Sequence, residues 1–280
     1  MNKKLALTLC GSLLLLVLYF FGRTEPKKIN NSLPITSATN SFNIERFVNE
    51  SKKGLSPSRV IFLAKLENSI KRGDLPSQQI RVFDQLASFW KDSIKAFEPF
   101  AWYLAESAKL DKSEKNLTFA ARLISGYLRG EQDQAKRTWM TDLAIELYEK
   151  VAVLNPADSV KVEMGACYIY GYAAIGRSDK AMKGVFMLRD IAEKDTSNQQ
   201  ANMLVGIGGV ISGQYDKAIV RLKKVVNRQP DNIEAISWLA DAFAGISEKA
   251  EAIKWYTESK RLMNNPQYSK TVDERIRALK

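Results

Sequence analysis

The sequence predicts an all-α fold, an α-solenoid of antiparallel helix pairs behind an N-terminal transmembrane helix. The first observation behind this prediction is an alanine that recurs at nearly even intervals, as Ala144, Ala181, Ala218 and Ala252. The second is that a similar frame surrounds each alanine, with Tyr148, Val185, Leu222 or Tyr256 one helical turn on and Pro156, Glu193, Pro230 or Asn264 further along. The third is that no stretch alternates apolar and polar residues long enough to predict a sheet. A period of about 34 residues with a helix–turn–helix pattern is typical of helical repeat arrays.

The N-terminus carries an apolar run. Leu5 to Phe21 follows two lysines and is interrupted only by Thr8, Gly11 and Ser12, and Gly22 extends it by one position. Its length is close to the minimum for a helix that crosses the hydrocarbon core of a bilayer. Residues 1–22 are therefore predicted to be a transmembrane anchor or an uncleaved signal, with membrane contact through residues 5–22.

Two alternatives to an anchor are a cleaved signal peptide and a lipoprotein signal. Cleavage favours a small-x-small site just after the run, and residues 19–23 (Tyr-Phe-Phe-Gly-Arg) contain none. A lipoprotein cysteine should follow the run, whereas Cys10 lies inside it. An uncleaved single-pass anchor is therefore favoured, with the N-terminus cytoplasmic and the soluble domain periplasmic or otherwise extracytoplasmic. The basic residues at 23, 27 and 28 weaken this orientation, because positive charge favours the cytoplasmic side.

The rest of the chain divides into four predicted parts. Residues 23–41 are polar, contain two prolines and show no period, so they are predicted to be a flexible linker. Residues 42–114 are predicted to form an N-terminal helical region of atypical repeats or a cap, with one helix beginning at Ser56-Pro57 and another running from about 77 to 93. Residues 115–266 are predicted to form the repeats, and residues 267–280 a C-terminal capping helix.

The repeat pattern is best developed in residues 199–232. Gly206 supplies a small residue in the first helix, Gly213 and Tyr215 mark the turn, and Ala218 and Pro230 follow in the second helix and at the repeat end. Residues 233–266 carry a comparable pattern. The unit that ends at Pro156 fits poorly in its first helix, because Gln132 occupies the position that should be small.

These features resemble the tetratricopeptide repeat (TPR) family. The resemblance implies a right-handed superhelix in which small residues permit close helix packing and aromatic residues fill the spaces between neighbouring pairs. The residues expected to pack the repeats are Ala144, Tyr148, Pro156, Ala181, Gly206, Ala218, Pro230, Ala252 and Tyr256.

The resemblance also implies that the first helices of successive repeats line a concave face. Counted from the repeat frame, the predicted peptide-binding groove on that face contains Tyr170, Met203, Ile207, Val210 and Asp241. One interpretation is that it holds a peptide or amphipathic helix of a protein partner. The alternative is that these residues are covered by the chain's own helices. The lysine, asparagine and arginine set with which some family members hold a carboxylate is absent.

Composition argues against several kinds of chemistry. The chain has no histidine, and its two cysteines cannot form a zinc site or a disulfide framework. We therefore expect no catalytic residues, no metal and no cofactor, and we do not expect an enzyme. The net charge of +11 suits anionic lipid head groups or an acidic partner. Without a dense basic cluster that contains aromatic residues, nucleic-acid binding is not expected.

The functional hypothesis is a membrane-tethered TPR scaffold or adaptor that mediates protein–protein interaction in the cell envelope and has no catalytic activity of its own. The alternative is a self-associating structural envelope protein, since an apolar repeat face could also form a homo-oligomer.

Overall fold

A computed structural model describes residues 41–71 and 75–280 of the chain. The predicted anchor, residues 1–22, and nearly all of the predicted linker lie outside the described residues. Contacts between Cα atoms group Asn40–Lys280 into one compact unit. Within the described ranges, no helix combines the length and apolar character needed to cross a membrane.

The described residues form thirteen α-helices and no strand. The first six are α1 (Ile44–Lys52), α2 (Pro57–Lys71), α3 (Pro76–Ser88), α4 (Phe97–Asp111), α5 (Glu114–Leu128) and α6 (Gln134–Leu154). The others are α7 (Asp158–Tyr172), α8 (Ser178–Lys194), α9 (Gln199–Ile211), α10 (Tyr215–Arg228), α11 (Ile233–Gly245), α12 (Lys249–Met263) and α13 (Pro266–Leu279). A π-helical turn, Phe89–Ile94, extends α3, and a 3₁₀ turn, Ala173–Ile175, follows α7.

Consecutive helices pack in pairs, and the pairs stack. The closest partners are α3 with α4, α5 with α6, α7 with α8, α9 with α10, and α11 with α12. The first helices of successive pairs also contact one another from α5 to α7, α7 to α9, and α9 to α11. This pairing is that of a helical repeat array, in which most contacts join neighbouring repeats.

Asparagine side chains begin the first helices in the second half of the array. Asn198, Asn232 and Asn265 each accept a hydrogen bond of 3.0 Å from the backbone N–H three positions on, at the start of α9, α11 and α13. An asparagine in this position satisfies a backbone donor that has no partner inside the helix. The three asparagines are spaced almost evenly, at nearly the interval that separates Ala218 from Ala252. The first helices therefore begin with the same period as the alanines recur.

Small residues lie where neighbouring helices approach most closely. The four recurrent alanines, Ala144, Ala181, Ala218 and Ala252, are at most 1% exposed. A β-carbon added to Gly206 would lie 2.8 Å from Leu222 Cγ, and one added to Gly208 would lie 2.2 Å from Val185 Cγ2. Both glycines are therefore explained by close packing of α9, with α10 on one side and α8 on the other.

The first repeat of the predicted series departs from the frame. Ala181, Ala218 and Ala252 are each the fourth residue of their helices, whereas Ala144 lies in the middle of α6, which begins at Gln134. Gln132 lies in the turn between α5 and α6 and not in a first helix. Because α6 starts earlier than the frame requires, the first helix of this unit is α5. Gln132 therefore does not occupy the first-helix position at which a small residue is required.

The other predicted packing residues lie at two kinds of position. Tyr148 and Tyr256 are buried in the cores between pairs. Pro156 and Pro230 are exposed, and both lie in the loops that separate one pair from the next.

The last helix, α13, packs against α12. Its Val272 is buried, while Asp273 pairs with Lys260 at 2.7 Å. It therefore buries one apolar side and presents a polar side outward, which is what the end of a repeat array requires.

Candidate functional site

The predicted inner face of the array consists of the first helices α5, α7, α9 and α11, which contact one another in turn. The predicted groove residues all lie on these helices: Tyr170 on α7, Met203, Ile207 and Val210 on α9, and Asp241 on α11. Tyr170, Met203 and Ile207 share one apolar cluster, whereas Val210 packs on the next. The structure thus brings most of the set together.

Tyr170 lies under a contact that joins distant parts of the array. The guanidinium carbon of Arg129 is 4.0 Å from the centre of the Tyr170 ring, and Arg129 Nη1 is 3.0 Å from Glu234 Oε2. Arg129 follows α5 and Glu234 begins α11, so this ion pair joins residues 105 positions apart in the sequence. Burial, together with the nearby Glu234 carboxylate, raises the pKa of the Tyr170 hydroxyl, which therefore stays protonated at neutral pH.

The apolar residues of α9 are largely used by the fold. Ile207 has no exposed surface, so it differs from the prediction: side chains of the same cluster cover it and leave no surface for a ligand. Met203 and Val210 are partly buried, and Met203 Sδ lies 3.7 Å from Asn232 Nδ2, which donates to it. For Ile207, the alternative interpretation therefore applies: the chain's own helices cover this residue.

Asp241 is held by two side chains of the C-terminal helices. The hydroxyl of Tyr256 donates to Asp241 Oδ1, and Arg275 Nη1 donates to the same oxygen at 2.6 Å. Its carboxylate therefore links α11 to α12 and to α13. An inner-face residue engaged in this way stabilises the end of the array and is not an unoccupied ligand contact.

A more open surface lies nearer the N-terminus, beside α4 and α5. A hollow of about 840 Å³ is lined by Phe97, Phe119, Leu123, Gly126, Tyr127 and Met140, together with Glu98, Arg122, Gly130 and Glu131. A second hollow of about 530 Å³ shares Phe97, Phe119, Leu123 and Tyr127 with the first and continues toward α3 and the π-helical turn. We call the two together the aromatic groove.

The walls of the aromatic groove are large apolar side chains that remain in contact with solvent. Phe119 is 57% exposed and Tyr127 is 55% exposed. The rings of Phe97 and Tyr127 stack with centroids 3.6 Å apart, which fixes the orientation of Tyr127. Rings that are solvent-exposed and held in place are typical of surfaces that bind another molecule.

The groove exists because the spacing of first helices changes at this point. From α5 onward the first helices contact one another, whereas α3 and α5 share no comparable interface. Between them lies the segment that turns from α3 into α4. Lys95, the residue that follows its π-helical turn, has a left-handed backbone with φ of 59°. In the sequence, Phe119 and Tyr127 stand among apolar residues at helical spacing, and this local pattern does not reveal that their side of α5 is uncovered.

Several charged side chains around the groove are engaged with one another. Arg122 donates to Glu163 through Nε at 2.8 Å, and the Tyr148 hydroxyl donates to the same carboxylate at 2.9 Å. Burial opposes ionisation of Glu163, but these hydrogen bonds outweigh it and hold its pKa below the usual value. Glu98 pairs with Lys136. These pairs fix the shape of the groove wall.

The described residues contain no group of three or more histidine, cysteine, aspartate or glutamate side chains arranged to hold a metal. The thiol of Cys167 is buried, and burial raises its pKa to about 12. Such a thiol is protonated at neutral pH and is a poor nucleophile. Cys167 therefore acts as a small core side chain beside Ser125, 3.0 Å away.

No protein-family model matches the sequence, and no curated protein matches it. Solved structures do resemble the fold. The MamA protein is 17% identical, with 67% of this chain and 93% of MamA covered and a TM-score of 0.45. YrrB, a TPR protein with an unusual peptide-binding site, is 13% identical, with 75% of this chain and 97% of YrrB covered and a TM-score of 0.44.

TTC0263, a thermophilic TPR protein in Thermus thermophilus, is 15% identical, with 73% of this chain and 98% of TTC0263 covered and a TM-score of 0.48. The solved structures that resemble this chain therefore include TPR proteins. The pairing of helices described above remains the direct basis for the repeat architecture.

Proposed function

We propose that this protein is a scaffold that binds a segment of another protein in the aromatic groove and carries out no chemical reaction itself. The observation that carries the proposal is the exposed aromatic wall of the 840 Å³ hollow, formed by Phe119 and Tyr127. Exposed apolar surface is costly in water, and covering it is the main favourable term in most protein association.

The chemistry of the groove favours a macromolecular segment over a small molecule. Small-molecule sites combine an apolar pocket with a few polar groups that converge on the ligand. Here the charged groups beside the larger hollow are engaged by their own neighbours, as in the Arg122–Glu163 and Lys136–Glu98 pairs, and the lysines without an ion pair, Lys91 and Lys95, lie only at the end nearer α3. The groove is also continuous over two hollows, so it suits an elongated apolar surface better than a compact ligand.

The tether belongs to the same proposal. We infer from the apolar run of residues 5–22 that the scaffold is held at a membrane, with the array in an extracytoplasmic compartment of the cell envelope. The run has the length of a membrane-crossing helix, and a polar segment with two prolines separates it from α1. This arrangement would let the array reach partners near the membrane surface.

Self-association is the second candidate function, and a different surface favours it. Helix α2, at the end of the described array opposite α13, exposes Ile61 by 69% and Phe62 by 46%. The ends of repeat arrays usually have polar outer faces. A second copy of the chain could cover this end. Sedimentation of the full chain in detergent, compared with an Ile61→Ser/Phe62→Ser variant, tests it: a monomer at tens of micromolar rejects this candidate.

Site-specific crosslinking tests the principal proposal. A photoreactive benzoylphenylalanine is placed at position 119 in the groove or, as a matched control, at position 220 on α10, since Phe119 and Val220 are both 57% exposed. In native membranes we expect a discrete crosslinked partner from position 119 and none from position 220. A Tyr127→Asp substitution should remove the adduct. Equal crosslinking from both positions, or an adduct unaffected by Tyr127→Asp, would refute the groove as the binding site.

A further inference from the structure

At most glycines within the helices of this array, a neighbouring helix fills the space that a β-carbon would take. A β-carbon would lie 2.7 Å from Leu188 Cγ at Gly165, 2.8 Å from Leu222 Cγ at Gly206, and 2.2 Å from Val185 Cγ2 at Gly208. At Gly245 it would meet the ring of Tyr215 at 2.4 Å. Each of these glycines is the floor of a niche that receives one large side chain. The pattern follows from helix packing, in which close approach needs a small residue at the contact.

Gly126 in α5 is the exception among the helical glycines of the described residues. A β-carbon there would meet no atom within 4 Å. Its backbone does not require glycine either, because it is not among the residues with positive φ. Glycine in a helix costs roughly 0.5–1 kcal/mol relative to alanine. Neither packing within the chain nor backbone conformation explains why this cost is accepted.

The unoccupied niche lies inside the aromatic groove. Gly126 lines the 840 Å³ hollow together with Phe119, Leu123 and Tyr127 of the same helix, and Met140 of α6 lies on the far side. Gly126 is exposed, unlike the buried Gly165, Gly206 and Gly208, so it leaves a bare stretch of helix backbone among large apolar side chains of the groove. What is missing is the side chain that would fill it.

An α-helix is the form of partner that best fits such a wall. The groove follows α5 from Phe119 to Tyr127 and continues to Gly130 in the turn after the helix, a span of about 16 Å at the helical rise per residue. An extended segment would need hydrogen-bond partners for its backbone, and the engaged polar groups of the wall provide few. A helix satisfies its own backbone, and it can approach to within about 8–10 Å of α5 where glycine replaces a larger residue.

The charges at one end of the groove indicate the flanking chemistry. Lys91 and Lys95 line the hollow nearer α3. Lys91 Nζ lies 5.8 Å from the centre of the Phe100 ring, and neither lysine forms an ion pair among the described residues. The acidic residues nearby are engaged: Asp84 accepts from the Ser107 hydroxyl at 2.6 Å, and Glu98 pairs with Lys136. Asp84 keeps its negative charge, so this end of the groove carries two positive charges against one, and the net positive charge complements a carboxylate.

We propose that the aromatic groove receives an amphipathic helix of a partner protein, which places a bulky aliphatic or aromatic side chain over Gly126 and an acidic residue near Lys91 and Lys95. This inference rests on the proposed function and specifies the partner segment. The bulky side chain fills the niche as Leu188 and Leu222 fill the niches at Gly165 and Gly206. The acidic residue sets the direction in which the helix lies.

The test uses a displayed library of helical peptides about 16 Å or more in length, with a randomised apolar stripe and randomised flanks, selected on the full chain in detergent. We expect peptides with one bulky apolar residue at the centre and aspartate or glutamate toward one end. Gly126→Leu fills the niche from within and should weaken the selected peptide at least tenfold without lowering the urea midpoint. Asn227→Leu, an exposed substitution on α10, is the matched control and should leave binding unchanged.

The outcomes separate this inference from the proposed function. If Phe119→Asp abolishes binding but Gly126→Leu does not weaken it, the groove is a binding site and the helix-in-niche inference is overturned. If Lys91→Glu/Lys95→Glu leaves the preference for acidic peptides unchanged, the charge part of the inference is overturned. If selection on the wild type yields no peptide that distinguishes it from Phe119→Asp, both the inference and the groove as a binding site fail.

Discussion

Replacing Gly208 by alanine sets two physical effects against each other. Helix propensity favours alanine by roughly 0.5–1 kcal/mol. Packing opposes it, because the added β-carbon would lie 2.2 Å from Val185 Cγ2, 3.1 Å from Cγ1 and 3.2 Å from Cβ. Carbon atoms in contact are normally about 3.5–4.0 Å apart. Relief of the overlap requires α8 and α9 to separate or Val185 to leave its rotamer.

The packing effect should exceed the propensity effect. Overfilling a packed core costs about 1–3 kcal/mol, and the upper half of that range applies here because β-branched valine is stiff. After subtraction of the gain in propensity, we expect Gly208→Ala to destabilise the protein by about 1–2.5 kcal/mol. For a unit of this size, the unfolding midpoint would fall by roughly 2–10 °C.

Urea and thermal unfolding followed by the helical circular dichroism signal would measure this change. Gly126→Ala is the matched control: the substitution is the same, but the niche is empty, so stability should rise by roughly 0.5–1 kcal/mol. Val185→Ala in the Gly208→Ala background should recover part of the loss, because it removes the overlapping methyl groups. A Gly208→Ala protein as stable as the wild type would refute the close contact between α8 and α9.

Three further predictions concern side-chain contacts. Arg129→Ala removes the ion pair with Glu234, so the radius of gyration from small-angle scattering should increase; an unchanged radius would show that this contact does not hold the array closed. Because the pKa of Glu163 is lowered, its ionised form stabilises the fold above about pH 4–5, and this stabilisation is lost as the pH falls through the lowered pKa. Wild type should therefore lose more stability than Glu163→Gln between about pH 5 and 3, whereas parallel curves would contradict the assignment. In a Cys10→Ser background, Cys167 should react with a thiol reagent only after denaturation, and rapid labelling of the folded chain would show that its site is open.

Much of the helix pairing could be predicted from local patterns. Ala181, Ala218 and Ala252 repeat because each second helix needs a small residue at the same point, and Gly206 follows the same requirement. The pattern was less informative where an element departed from the common length. Helix α6 begins so early that Ala144 falls in its middle. The residue that starts it is Asp133, whose carboxylate accepts from the N–H groups of Ala135 and Lys136, and this local signal lies outside the repeat frame.

The proposed binding surface was harder to predict than the fold. The resemblance pointed to α7, α9 and α11, where Ile207 is buried and Asp241 is held by Tyr256 and Arg275. The groove beside α5 has no motif of its own. The one local feature that could indicate this groove is a glycine within a helix. Such a glycine does not by itself show whether the space beside it is filled, as at Gly208, or empty, as at Gly126.

Local sequence is enough to specify paired helices that recur with the period of the alanines, because helix caps, small contact residues and apolar stripes act over short distances along the chain. It does not specify which apolar side chains remain in contact with solvent, and that depends on tertiary packing. Phe119 and Ile207 are both apolar residues of first helices, yet one is 57% exposed and the other is fully buried. The difference arises from how the pairs stack and from contacts as distant in sequence as Arg129 and Glu234, which no local pattern encodes.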